Sequence, residues 1–222
     1  MSAEAETWTQ EQIVEAYYQH RVIPPEVVAT LSEDDRTRIR RAAWALGWST
    51  RVDAIGIPTR LRAAEFGQGR VTPAMQRAGV YVRDDVEAGR CLVLTGPTGI
   101  GKSWAAVAAL RALGHRHQHF WYFPALCGSL LNPETRSAAL DDAKTIPLVA
   151  FDDFGVEYVK EGGLIDCFLD EIIWFRESEF KPTIITTNLT TDALKNRLPS
   201  RLIDRLRGDW GRIFECPGES LR

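Results

Sequence analysis

Gly96-Pro97-Thr98-Gly99-Ile100-Gly101-Lys102-Ser103 stands directly behind an apolar run, residues 91–95, and ahead of an apolar helical stretch, residues 104–113. The stretch fits G-x-x-x-x-G-K-[ST], and a strand before it and a helix after it are the context that pattern needs to hold a phosphate. Glycines let the loop curl so that successive N–H groups face an anion, and the following helix adds the positive end of its dipole. Lys102 is then expected to reach the β- and γ-phosphates, and the Ser103 hydroxyl to ligate Mg²⁺. The ligand so implied is ATP with Mg²⁺.

Such a site needs a carboxylate to fix the metal and orient water. Residues 148–151 are apolar and end in Asp152-Asp153; Asp152 suits a direct or outer Mg²⁺ role, and Asp153 is the candidate to polarise water. A third run, 183–187, ends in Asn188, a neutral amide able to hydrogen-bond a γ-phosphate or hold the attacking water. Short apolar runs at 91–95, 120–123, 148–151, 183–187 and 213–216 alternate with helical stretches. The expected fold class is α/β, a P-loop αβα sandwich with a five-stranded parallel sheet. The strand at 120–123 lies between the two nucleotide motifs, the arrangement of additional-strand ATPases and not of simple nucleotide kinases.

Composition agrees with an ordinary globular chain: 222 residues, 45% hydrophobic and 26% charged. The net charge of −3 excludes a polycation that coats nucleic acid by charge alone, so DNA contact would need a local patch. Cys91, Cys127, Cys167 and Cys216 show no metal-ligand spacing and are expected to be reduced, mostly buried thiols. With an acidic N-terminus and no apolar run near about 18 residues, the expectation is a cytoplasmic protein with no membrane partner.

Ahead of the phosphate motif, charge is segregated. Residues 1–35 are rich in acids, whereas 36–62 carry Arg36, Arg38, Arg40, Arg41, Arg51, Arg60 and Arg62 against one acid, Asp53. A helix is expected to open at Thr9, with Gln12 closing a capping box and Trp8 packing on Ile13. Pro24-Pro25 breaks it, and a second helix runs from about Ser32 to Leu46. Gly56-Ile57-Pro58 reads as a linker between a helical unit, 1–56, and the ATPase unit, 57–222. Thr72-Pro73 is a cap followed by proline at the first helical position, opening a helix to about Glu87.

Taken together, these motifs resemble the DnaC/IstB-type branch of the AAA+ ATPases, bacterial and phage helicase loaders and transposition helpers. The resemblance is carried by Ile57-Pro58-x-Arg60-x-Arg62, Gly96 to Ser103, Asp152-Asp153-Phe154-Gly155-Val156-Glu157, and Arg176 with Lys181 to Leu189. Ser200-Arg201-Leu202-Ile203-Asp204-Arg205-Leu206 and Gly218-Glu219-Ser220-Leu221-Arg222 complete it, over residues 57–222. It implies ATP between neighbouring subunits of an ATP-dependent homo-oligomer, with Arg201 as the arginine finger and Arg205 the lesser choice. Arg222 resembles the sensor arginine of a GxSxR ending, and a C-terminal helical lid is not expected. The partners implied are a replicative hexameric helicase, docked by residues 1–56, and single-stranded DNA. The family also contains transposase accessory ATPases, and a non-hydrolysing nucleotide-sensing adaptor is the alternative from another class.

Three weaker patterns have competing readings. His115, His117 and His119 share one face if extended, as a metal site or a polar strand entrance. Trp121, Tyr122 and Phe123 suit either a base-stacking platform or the core of an interior strand. The basic stretch with Trp44 and Trp48 suits either phosphate contact or neutralisation inside its own unit, and Arg201 and Arg205 could instead pair locally with Asp204.

Overall fold

The computed structural model describes residues 8–20, 23, 25–114, 117–155 and 163–221. Five parallel strands, β1 (Cys91–Thr95), β2 (Gln118–Tyr122), β3 (Leu148–Asp152), β4 (Thr183–Thr186) and β5 (Gly211–Glu215), form one sheet in the order β2-β3-β4-β1-β5. Strand side chains alternate between faces. Leu92 and Leu94 of β1, Leu148 and Ala150 of β3, and Ile184 of β4 enter one buried cluster; Cys91, Val93, Val149, Phe151 and Ile185 enter the other. Each strand therefore supplies both cores, which is why these runs read as continuously apolar.

On the first face lie α5 (Pro73–Val80) and α6 (Lys102–Ala112), the latter burying every residue from Ala105 to Leu110. Its alanines let the helix lie close on the sheet, and Thr72 caps α5 by accepting from the Met75 N–H at 3.2 Å. The second face carries α7 (Phe123–Leu131), α8 (Arg136–Thr145), α9 (Leu164–Ser178), α10 (Thr191–Arg197) and α11 (Ser200–Arg207). This is the expected αβα sandwich, with β4 inserted between β1 and β3.

The N-terminal helices α1 (Gln10–His20), α2 (Pro25–Val28) and α3 (Glu33–Leu46) bury a separate small core of Ile13, Val14, Ile23, Val27, Ile39 and Ala43. The capping box is present: the Thr9 N–H donates to Gln12 Oε1 at 2.8 Å, and the Gln12 N–H donates to Thr9 Oγ1 at 3.2 Å. Gly56-Ile57-Pro58 is not a free linker. Trp48, Val52, Ile55 and Ile57 belong to the main core, and the Phe120 N–H donates to the Ile55 carbonyl at 2.7 Å. A Cβ on Gly56, at φ +80°, would run into the Phe120 carbonyl oxygen. Packing of the sheet domain thus reaches back to α4 (Trp48–Arg51), ahead of the expected boundary at 56.

β2 is an edge strand, which corrects its reading as interior. Of its aromatics, Tyr122 is 49% exposed, Trp121 stacks on His119 at 4.3 Å, and Phe123 starts α7 in the core against Phe151 and Phe154. They form no common platform. His115 lies outside the described residues, burial pulls the His119 pKa down, and among the described residues no three His, Cys, Asp or Glu side chains gather as a metal cluster. Cys91, Cys127 and Cys216 are buried free thiols, and Cys167 is exposed. Among the described residues no helix is long and apolar enough to cross a membrane.

Candidate nucleotide site

The loop from Gly96 to Gly101 joins β1 to α6 at the carboxyl ends of the strands, and Gly99 and Gly101 hold φ of +87° and +92°. Left-handed backbone at those two positions is the curl that spacing demands, and a side chain at either would be strained. Lys102, 5% exposed, folds back over the loop: its ammonium donates to the carbonyls of Gly96 at 2.8 Å and Pro97 at 2.7 Å, and to Asn188 Oδ1 at 2.9 Å. Asn188 in turn donates from Nδ2 to Asp153 Oδ1 at 2.9 Å. A neutral amide thus bridges the cation of the loop and the acid of β3. Burial lowers the Lys102 pKa, against the opposing pull of Asp153.

Asp152 ends β3, 1% exposed, and accepts from Thr186 Oγ1 at 2.6 Å. The same hydroxyl accepts the Asp153 N–H at 3.2 Å, so one β4 side chain holds both acids. Asp153 then turns into the left-handed region, φ 58°, which aims it into the cleft at a conformation Asp tolerates better than most residues. Burial raises the Asp152 pKa, opposed by hydrogen bonds from Thr186 and Ser103. Ser103, Asp152, Asp153, Asn188 and Lys102 therefore converge, as the motifs require. The donor set is oxygen-rich and fits a hard divalent cation beside a phosphate.

A carboxyl whose pKa is raised by folding costs stability once pH exceeds its unfolded value of about 4, and the cost is complete above its folded value. Asp152→Asn is accordingly expected to raise the melting temperature of the nucleotide-free, chelator-treated protein at pH 7 by about 2–4 °C. The gain should shrink as pH falls through the folded pKa toward about 4, and vanish below it, where the wild-type carboxyl is neutral in both states. A melting series from pH 4 to 8 checks this; an unchanged or lowered melting point at pH 7 would contradict it.

Lys102, Ser103, Asp153 and Asn188 line a cleft of about 480 Å³, while the buried Asp152 is not part of its lining. Its walls also include Gln68 and Met75, which the sequence reading did not single out, and Arg60, Thr72 and Leu221, which it did not assign to the nucleotide. The C-terminal tail lies on the loop: the Leu221 N–H donates to the Gly99 carbonyl at 3.0 Å, and a Cβ on Gly99 would strike the Ser220 side chain. Arg222, Val156 and Glu157 lie outside the described residues.

Arg201 is not in the cleft lining. It is 61% exposed at the start of α11 and pairs with Asp170 of α9 at 3.1 Å. Arg205, 24% exposed, pairs with the same Asp170 at 3.7 Å and with Glu177 at 3.2 Å. The acids facing these arginines come from α9, not from Asp204. In the basic stretch, Arg36 and Arg40 pair with Glu33 and Arg38 with Asp35, all within α3, and Arg62 pairs with Asp53. The patch is thus largely neutralised by its own neighbours; the side chains of Arg41 and Trp44 lie outside what the structure describes.

No family model matches the chain, and no curated protein matches it. Solved structures do. The DnaC helicase loader aligns with TM-score 0.62 at 22% identity, covering 72% of this chain and 100% of that one. DnaI aligns with TM-score 0.64 at 23% identity, over 78% of this chain and 100% of that one. The replication initiator DnaA bound to AMPPCP and single-stranded DNA aligns with TM-score 0.56 at 15% identity, over 65% of this chain and 45% of that one. The fold is therefore shared with the DnaC helicase loader, DnaI and DnaA: α/β, with a five-stranded parallel sheet and flanking helices.

Proposed function

We propose that this chain is an ATP-dependent helicase loader that binds a replicative helicase and single-stranded DNA and hydrolyses ATP. The observation that carries the reading is the hydrogen-bonded series Lys102, Asn188, Asp153 at the mouth of the phosphate loop, on a fold shared with DnaC and DnaI. A solved relative in fold, DnaA, is bound to AMPPCP and single-stranded DNA. Mg²⁺, when bound, supplies charge neutralisation at the phosphates. The chain's own residues do the rest: Lys102 exchanges loop carbonyls for phosphate oxygens, Ser103 and Asp152 hold the metal side, Asp153 orients water, and Asn188 keeps lysine and acid in register. The helical unit with its own small core is assigned to docking the helicase, and the sheet domain to nucleotide and to assembly of copies.

Lys102→Ala tests the nucleotide reading. It removes a buried ammonium that nothing but the loop carbonyls, Asn188 and the phosphates would use, so calorimetry with Mg²⁺-ATP should show affinity reduced by at least about thirtyfold, two or more charge-assisted contacts being lost. The fold should persist, because burial disfavours that charge in the free protein. Wild-type protein giving no heat with Mg²⁺ and adenine nucleotides would overturn the proposal, and capture of a transposase instead of a hexameric helicase would redirect it.

A further inference from the structure

Thr59–Leu61 forms one 3₁₀ turn, with Leu61 buried in the main core and Arg60 exposed. Successive residues of such a turn point about 120° apart, so anchoring Leu61 fixes the direction of the arginine before it. That direction is the cleft: Arg60 lines it together with Lys102, Ser103, Asp153 and Asn188. Three of the cations around it are committed. Arg62 pairs with Asp53, Arg111 with Glu65, and Lys102 is held by the loop and Asn188. Among the described residues neither Arg60 nor Arg70, which also lines the cleft, has an acid or carbonyl partner, and of the two only Arg60 sits on a turn anchored in the core. It shares that lining with Asp153, which marks the acid end of the cleft.

We propose that Arg60 is a specificity-determining residue that reads the terminal phosphate of the bound nucleotide from within the same chain, so that the site prefers triphosphate to diphosphate. This rests on the cleft being the ATP site. A guanidinium presents a planar fork of donors that matches phosphate oxygens two at a time, whereas an ammonium offers a point charge. The glycine loop cradles whichever phosphates both nucleotides share. A group on the Asp153 side of the cleft meets only the phosphate that diphosphate lacks, and it offsets the carboxylate that would otherwise repel it. The side chain is exposed, so its substitution leaves the packed turn intact.

Calorimetry on the full chain with Mg²⁺ and either ATP or ADP decides it, for wild type, Arg60→Ala, Arg60→Lys and Lys102→Ala, each first checked for an unchanged thermal melt. Arg60→Ala should weaken ATP by about tenfold or more and ADP by less than about twofold, the loss of one charge-assisted pair. Arg60→Lys should fall between wild type and alanine. Wild-type binding of ATP with a strong Lys102→Ala defect, but an unaltered ATP-to-ADP ratio in Arg60→Ala, would overturn this proposal and leave the nucleotide site standing. An equal loss for both nucleotides would also overturn it. No nucleotide binding by the wild type would remove both.

Discussion

Arg201→Ala is expected to cut ATP turnover in the assembled state by about 10³-fold or more, while ATP binding by a single chain stays within about twofold of wild type. An arginine supplied by one subunit to its neighbour's transition state has to be exposed, on a firm element, and free to leave any partner it has. Arg201 meets each condition: it is 61% exposed, sits in the first turn of α11, and holds Asp170 through one surface pair. Such pairs contribute about 0–1 kcal/mol, so releasing it costs little against the transition-state charge it would face. Arg205 fails the last condition, being 24% exposed and tied to two acids of α9. Arg205→Ala should therefore loosen α11 on α9 and act mainly on stability. Single-turnover and steady-state rates with ATP, at concentrations spanning assembly, separate the two; normal hydrolysis by assembled Arg201→Ala would dismiss the finger.

The phosphate loop is legible in the sequence because each of its requirements is local: a strand, glycines where the backbone turns left-handed, one lysine, one hydroxyl, then a helix. Asp152, Asp153 and Asn188 are legible for a related reason, since each ends an apolar run and parallel strands bring their carboxyl ends to one edge. Strand order is not local, and β2 is expected inside the sheet when it lies at its edge. Gly56-Ile57-Pro58 reads as a linker because its residue types favour turns, yet the left-handed Gly56 serves a close approach to β2. Thr186, which holds both acids, gives no signal beyond an unremarkable strand threonine. Arg60 is visible in the sequence as one arginine of the basic stretch and of the family-like Ile57-Pro58-x-Arg60-x-Arg62 pattern, but its cleft position depends on Leu61 finding the core.

Arg176 is the other residue whose meaning emerges only in three dimensions, and its replacement is expected to be the most damaging to the fold. It is 0% exposed, and among the described residues it forms no ion pair with a carboxylate. Its Nε donates to Thr183 Oγ1 at 2.8 Å, Nη1 to the carbonyls of Ala143 and Lys144 at 3.1 Å and Ile146 at 2.9 Å, and Nη2 to those of Pro182 at 2.9 Å and Pro147 at 3.4 Å. Those carbonyls include the end of α8 and the entries to β3 and β4, so one side chain of α9 satisfies acceptors that helix termination leaves open. The negative end of α8 stands in for a counter-ion. Burial depresses the Arg176 pKa to about 10, which still leaves it charged at pH 7. Arg176→Met would fill the volume but strand at least three buried acceptors, each worth about 1–3 kcal/mol. The expected loss is about 3–5 kcal/mol, a large part of the usual 5–15 kcal/mol of a folded domain. Arg176→Lys should recover only part of it, because three donors on one atom cannot span acceptors that the five-donor fork reaches. Urea unfolding should show a lower midpoint with an unchanged slope for both variants, and a loss under about 1 kcal/mol for Arg176→Met would refute the assignment.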